Sequence, residues 1–215
     1  MTDTPAAPSA LPERLRLETR DLHVAAERSG AMSALLHGRL ERPRYVALLR
    51  NLHAIYTALE AALELRRGDA GVAALRLPAL YRTAALAADL GTLYGPRWAA
   101  GVAIAPAAVA YVQRLDALAA AASPNLVAHA YVRYLGDLHG GQILSTLVRK
   151  TYGLGAAGTA FYDFGSTEDV RAARGTFREG LAAVPATVAG KDAIVAEARW
   201  AFLQHQRLFE ELLPG

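Results

Sequence analysis

The chain has no cysteine, which excludes disulfides, thiolate metal sites and a cysteine nucleophile. Lysine is nearly missing too: only Lys150 and Lys191 are present, and the other basic residues are arginines. No stretch approaches the roughly 18 consecutive apolar residues needed to cross a membrane. The longest apolar runs are short and Ala-rich, such as Ala117 to Ala122. The N-terminal segment carries Asp3 and Glu13 and lacks the basic-then-apolar pattern of an export signal, so a cytoplasmic location is expected. A phosphate-binding GxxxxGK[ST] loop, a GxSxG nucleophile elbow and an HExxH zinc motif are all missing. The formal charge is +3, yet no Lys/Arg-rich run or nucleic-acid motif accompanies it. Nucleic acid is therefore not the expected partner; a mild basic excess favours acidic proteins or an anionic ligand.

What is present reads as helix. At 215 residues and 53% hydrophobic the chain makes one substantial domain with a real core. Helix-period patterns dominate and alternating strand patterns are missing. Residues 1–10 read as a disordered tail, and 11–215 as one all-α domain of about eight helices. Helices are expected over 11–29, then through His37, over 42–66, 78–93, a short one over 97–104, then over 106–121, 125–152, 167–183 and 185–213. On the helix at 42–66, Tyr45, Leu48, Leu49, Leu52, Ile55, Tyr56, Leu59 and Leu63 share one face. Gly153 to Gly165 reads as a loop under which Phe161, Tyr162 and Phe164 pack.

The most informative segment is Tyr134-Leu135-Gly136-Asp137-Leu138-His139-Gly140-Gly141-Gln142. Each glycine inside a helix costs about 1 kcal/mol relative to Ala. Three in a chain this rich in Ala imply that something flat and bulky touches the backbone, or that the helix kinks there. Asp137 puts a carboxylate beside whatever is approached. On the first helix, His23 and Glu27 share one face at i and i+4. A neutral imidazole binds a metal through one nitrogen and offers its other N–H to such a carboxylate. Alone, the pair reads equally as an ordinary helix-surface contact. Arg16 lies on the same face, and Arg174 and Arg178 stand four apart on a later helix. Their guanidinium groups suit the carboxylate tails of a ligand, although such pairs are common in an Arg-rich chain. Together the residues describe a sandwich with His23 under a flat metal complex and the glycine helix over it. Haem fits that description.

With these residues in view, the chain closely resembles the haem oxygenase family over most of 11–213. Thr19-Arg20-Asp21-Leu22-His23-Val24-Ala25-Ala26-Glu27 is similar to the family's proximal helix, and Ala128 to Gln142 to its kinked, Gly-rich distal helix. Tyr56 to Glu60, Tyr94 to Trp98, Ala201 to Leu203 and Leu208 to Leu212 match further segments. The resemblance implies that haem b is both substrate and cofactor, with His23 as iron ligand and Glu27 orienting it. It implies that Gly136, Gly140 and Gly141 let the distal backbone contact haem. Asp137 would organise proton-donating waters, with Arg133 and Tyr56 in its hydrogen-bond network. Arg16, Tyr131, Arg174 and Arg178 would hold the propionates. The implied reaction consumes O2 and external electrons and yields biliverdin, carbon monoxide and ferrous iron. The chain carries no flavin or nicotinamide fingerprint, so a ferredoxin, a flavodoxin-like protein or a reductase would supply the electrons. The chain ends directly after the last helix without the anchor of animal relatives, so a soluble, bacterial form is expected; the oligomeric state is open, with a monomer favoured. His139 stands where many relatives have a small residue, commonly Ser, and is expected off the iron, near a propionate or the solvent mouth. A haem carrier or sensor would share His23 and the arginines but would not need Asp137. A thiamin-degrading enzyme of related fold would need a cysteine. A helical interaction module would need neither.

Overall fold

Among residues 10–213, which the computed structural model describes, there are twelve α-helices and no strand. They are α1 (Leu11–Glu18), α2 (Arg20–Glu27), α3 (Gly30–Leu36), α4 (Arg42–Leu65), α5 (Ala70–Ala73), α6 (Thr83–Leu93), α7 (Trp98–Gly101), α8 (Pro106–Ala120), α9 (Leu126–Ala130), α10 (Gly136–Tyr152), α11 (Thr167–Ala182) and α12 (Val188–Leu212). The tail read over residues 1–10 lies outside the described residues apart from Ala10. Two of the twelve are single turns, and α1 with α2 and α9 with α10 form two bent rods, so about eight long elements remain.

The chain bends where local chemistry competes with the helix. Within 11–29 the break falls at Thr19, whose Oγ1 donates to the Leu15 carbonyl at 2.7 Å. A β-branched hydroxyl bonding back one turn loosens the rod at that point. The break sets α2, and with it His23, at its own angle. The element expected over 125–152 is interrupted by one π-turn, Tyr131–Leu135. Its extra residue per turn re-aims the side chains that follow, a distortion common at functional sites. The kink therefore lies just before the glycines. Gly136 itself has helical angles, φ −59° and ψ −50°.

α4 forms the centre of the core. All eight residues read on its apolar face are buried, packed against α6 and α8. α12 runs along α2, α3, α8 and α9 and closes the other side. The α2–α3 corner sits directly on α12: Gly30 has φ +36°, and a Cβ there would collide with the Phe209 carbonyl. Ser166 caps α11 in a reciprocal box with Asp169 (2.8 and 3.2 Å). In the loop at 153–165, Phe161 and Tyr162 are buried, and the Asp89 carboxylate accepts the Ala160 and Phe161 N–H groups, both at 2.8 Å. No helix among the described residues is long and apolar enough to cross a membrane.

Candidate functional site

Between α2 and the π-turn with α10 lies an open cleft of two lobes, about 350 and 200 Å³, which meet at His23, Val132, Gly136 and Phe202. That is room for a large flat ligand. One lobe is polar at its mouth, with Arg16, Tyr131, His139 and Arg178. The other is walled by Met32, Leu35, Leu48, Leu52, Phe161 and Phe209, with Asp137 and Gly140 at its roof.

His23 forms the floor. Its ring stands edge-on to Phe202 at 5.8 Å, and Nδ1 lies 3.8 Å from Glu27 Oε2, beyond direct hydrogen-bond distance. No protein group among the described residues hydrogen-bonds the ring, and the side chain is 48% exposed on the cleft. The described residues hold no cluster of three His, Asp or Glu that could bind a metal between them. A metal at His23 must therefore bring its other ligands with it, as a porphyrin does.

The roof is glycine backbone. A Cβ placed on Gly136 would meet no atom within 4 Å, and one on Gly140 would touch only Leu144, at 3.8 Å. Both glycines line the cleft. Gly141, expected against the ligand, faces the other way: its Cβ position is 3.6 Å from the Tyr162 carbonyl oxygen and 3.8 Å from the Phe164 ring. The helical step of 100° per residue separates it from Gly140 and turns it towards the 153–165 loop.

Beside the roof sits a buried polar network. Arg133 donates from Nε to the Tyr56 hydroxyl at 3.1 Å, from one terminal nitrogen to Asp137 Oδ1 at 3.1 Å, and from the other to His205 Nε2 at 2.9 Å. The Tyr56 hydroxyl donates to Asp137 Oδ2. Burial pushes the Asp137 carboxyl well above the usual carboxylate range. Burial also lowers the Arg133 guanidinium to about 10, which leaves it charged at neutral pH, and lowers the His205 imidazole to about 3, with the Arg133 charge adding to the effect. Sequence spacing does not single out His205. It lies 72 residues from Arg133, and no local spacing links the two.

At the polar mouth, the charges of Arg16 and Arg178 both act on the Tyr131 phenol, while its burial raises its pKa. Arg174 is not there. Its guanidinium turns onto the Leu138 carbonyl, 3.1 Å from Nε, and ties α11 to α10. Turned there, Arg174 does not line the mouth beside Arg16 and Arg178. His139 is exposed at this mouth, with Nδ1 2.6 Å from the Leu135 carbonyl and the ring away from the apolar lobe. A second polar cluster ties α8, α9 and α12: Arg114 pairs with Glu197 (2.9 and 2.5 Å), which accepts from His129 at 3.1 Å, whose Nδ1 meets the Tyr111 hydroxyl at 2.9 Å. It lines neither lobe of the cleft and holds the frame.

Fold and site together define a helical protein with a cleft between a histidine and a glycine-backbone roof, apolar inside and lined by arginines at its mouth. A family model described as Heme oxygenase matches residues 9–211. Heme oxygenase 1 of Synechocystis sp. PCC 6803 is 37% identical over 202 residues, covering 94% of this chain and 84% of the relative. Heme oxygenase 1 of Homo sapiens is 35% identical over 208 residues, covering 95% and 72%. The crystal structure of heme oxygenase-2 from Synechocystis in complex with heme and NO superposes with a TM-score of 0.91 at 38% identity, covering 95% of this chain and 85% of that one. The chain belongs to the haem oxygenase family.

Proposed function

We propose that this chain opens haem b, at once its substrate and its cofactor, to biliverdin, carbon monoxide and ferrous iron, using O2 and electrons from an external donor. The observation that carries the reading is the placement of His23 opposite the Gly136 and Gly140 backbone across one cleft, with Asp137 buried beside the roof.

The residues fit haem. Among the described residues the floor offers one imidazole without a hydrogen-bond partner, the roof has no side chain to obstruct a flat ring, the inner lobe is apolar, and the mouth carries the guanidinium groups of Arg16 and Arg178. Haem, when bound, supplies the iron that activates O2 and the ring that is oxidised. His23 would ligate the iron through Nε2 while Glu27 accepts from Nδ1, which fixes the tautomer. Gly136 and Gly140 bring backbone against the ring. Arg16, Tyr131 and Arg178 hold the propionates, and thereby the rotation of the ring and the edge presented to attack. Asp137 positions water in the cleft and passes protons through it, a role suited to a carboxyl of raised proton affinity. Arg133 and Tyr56 hold that carboxyl in place. Gly141 and Arg174 act on the frame: one packs the roof helix on the 153–165 loop, the other ties it to α11.

A haem carrier would share the floor and the mouth. A buried carboxyl held by two donors beside the roof is expensive to fold, and carriage alone gives it no use. The donor is a ferredoxin, a flavodoxin-like protein or a reductase, drawn by the net positive charge. We place the protein in the cytoplasm as a monomer, with Ile143, the most exposed large apolar side chain among the described residues at 70%, lining the cleft.

The test is His23→Ala with haem. We expect the axial-histidine spectrum and turnover to be lost, and added imidazole to restore both. Undiminished turnover in the variant would overturn the assignment.

A further inference from the structure

We propose that His205 is a positioning residue of the distal network: a neutral imidazole, protonated on Nδ1, that accepts a hydrogen bond from Arg133 and so holds that guanidinium against Tyr56 and Asp137. The proposal rests on the oxygenase reading for its catalytic consequence, and on geometry alone for its hydrogen-bond assignment.

Arginine has five N–H donors and no acceptor. At 2.9 Å from Arg133, Nε2 of His205 must therefore carry its lone pair, and the ring proton must sit on Nδ1. Nδ1 lies 2.8 Å from the Ala201 carbonyl, an acceptor that takes that proton. The same rule propagates. Arg133 Nε–H occupies a lone pair of the Tyr56 oxygen, so the Tyr56 proton is directed to Asp137 Oδ2. Arg133 also donates to Oδ1. Both carboxyl oxygens are then held by donors from the protein, and their remaining lone pairs are left for water in the cleft.

The ring has little freedom to do otherwise. His205 is 3% exposed, edge-on to Tyr111 at 5.1 Å and to Phe209 at 6.0 Å. The charged or titratable groups facing it are Arg133, Tyr111 and His129. Burial and the adjacent guanidinium hold it neutral. A proton on Nε2 would set two donors against each other and swing Arg133 away from Tyr56 and Asp137.

The hydrogen-bond assignment is tested first in the haem-free, 15N-labelled protein by long-range 1H–15N correlation of the histidine rings. We expect His205 as the Nδ1–H tautomer, without titration between pH 8 and pH 5. An Nε2–H tautomer, or a midpoint near the ordinary histidine value, would overturn the proposal. The catalytic consequence is tested with His205→Phe, which keeps a ring but no acceptor, and His205→Gln, which returns one. We expect haem to bind both, biliverdin formation to fall about ten- to a hundredfold in the Phe variant, and Gln to recover most of it. Wild-type rates in His205→Phe would overturn the positioning role. A wild-type protein that binds haem without opening it would overturn the oxygenase reading, and the nitrogen spectrum would still decide the assignment.

Discussion

Gly136→Ala separates what the roof does for folding from what it does for the ligand. The residue already has helical angles, and the new methyl would meet nothing within 4 Å. In the haem-free protein the substitution removes backbone freedom from the unfolded chain and stabilises the helix by about 0.5–1 kcal/mol. For a domain of this size that raises Tm by roughly 1–4 °C. In the complex the same methyl points into the space the ring would fill. Overpacking of a fitted contact costs about 1–3 kcal/mol, or roughly five- to a hundredfold in Kd. Gly141→Ala is the matched control. Its methyl meets the Tyr162 carbonyl oxygen at 3.6 Å and Phe164 at 3.8 Å, ordinary contacts on the far side of the helix. It should stabilise the protein similarly and leave haem affinity unchanged. Thermal melts of the haem-free proteins and optical titrations with haem read the two effects. Undiminished affinity in Gly136→Ala, or equal losses in both variants, would refute the roof as described.

Arg178→Ala should weaken haem binding, and haem with esterified propionates should bind wild type and variant alike; Arg174→Ala should show no such coupling, because its guanidinium is engaged on Leu138. Stability should fall on acidification. His205 is neutral in the native state down to about pH 3, whereas the unfolded chain protonates it below about 6.5, so its contribution is full above that pH and is lost at about 1.4 kcal/mol per unit below it. By pH 5 the loss is about 2 kcal/mol, and chemical denaturation of His205→Gln should lack this component of the pH dependence. Glu197→Ala strands Arg114 and the buried His129, which should cost about 3 kcal/mol or more and lower Tm by roughly 6 °C or more, while the spectrum of bound haem is unchanged.

Periodicity made the helices legible because an amphipathic stripe is a local property. The face of α4 was readable residue by residue. What periodicity could not show is where a regular rod yields to its own side chains. Thr19 bonds back to Leu15, and the π-turn at 131–135 inserts a residue without any breaker in its sequence. The glycines announced the roof, yet helical phase puts Gly141 on its outer side. Arg16 and Arg178 meet at one mouth, but Arg174 finds a closer acceptor on the neighbouring helix. His205 was hidden because its partner stands on an element far away in the chain. Spacing along one helix suggested His23 with Glu27; Tyr56 with Arg133 and Asp137, on different helices, came only with the family resemblance, and His205 came with neither.

The most direct measurement is an optical titration of the purified protein with haem, followed by ascorbate or a reductase system in air. Stoichiometric binding with a histidine-ligated spectrum, then loss of the Soret band and growth of biliverdin absorption, is the predicted result. Binding without ring opening under every reductant would contradict the oxygenase reading.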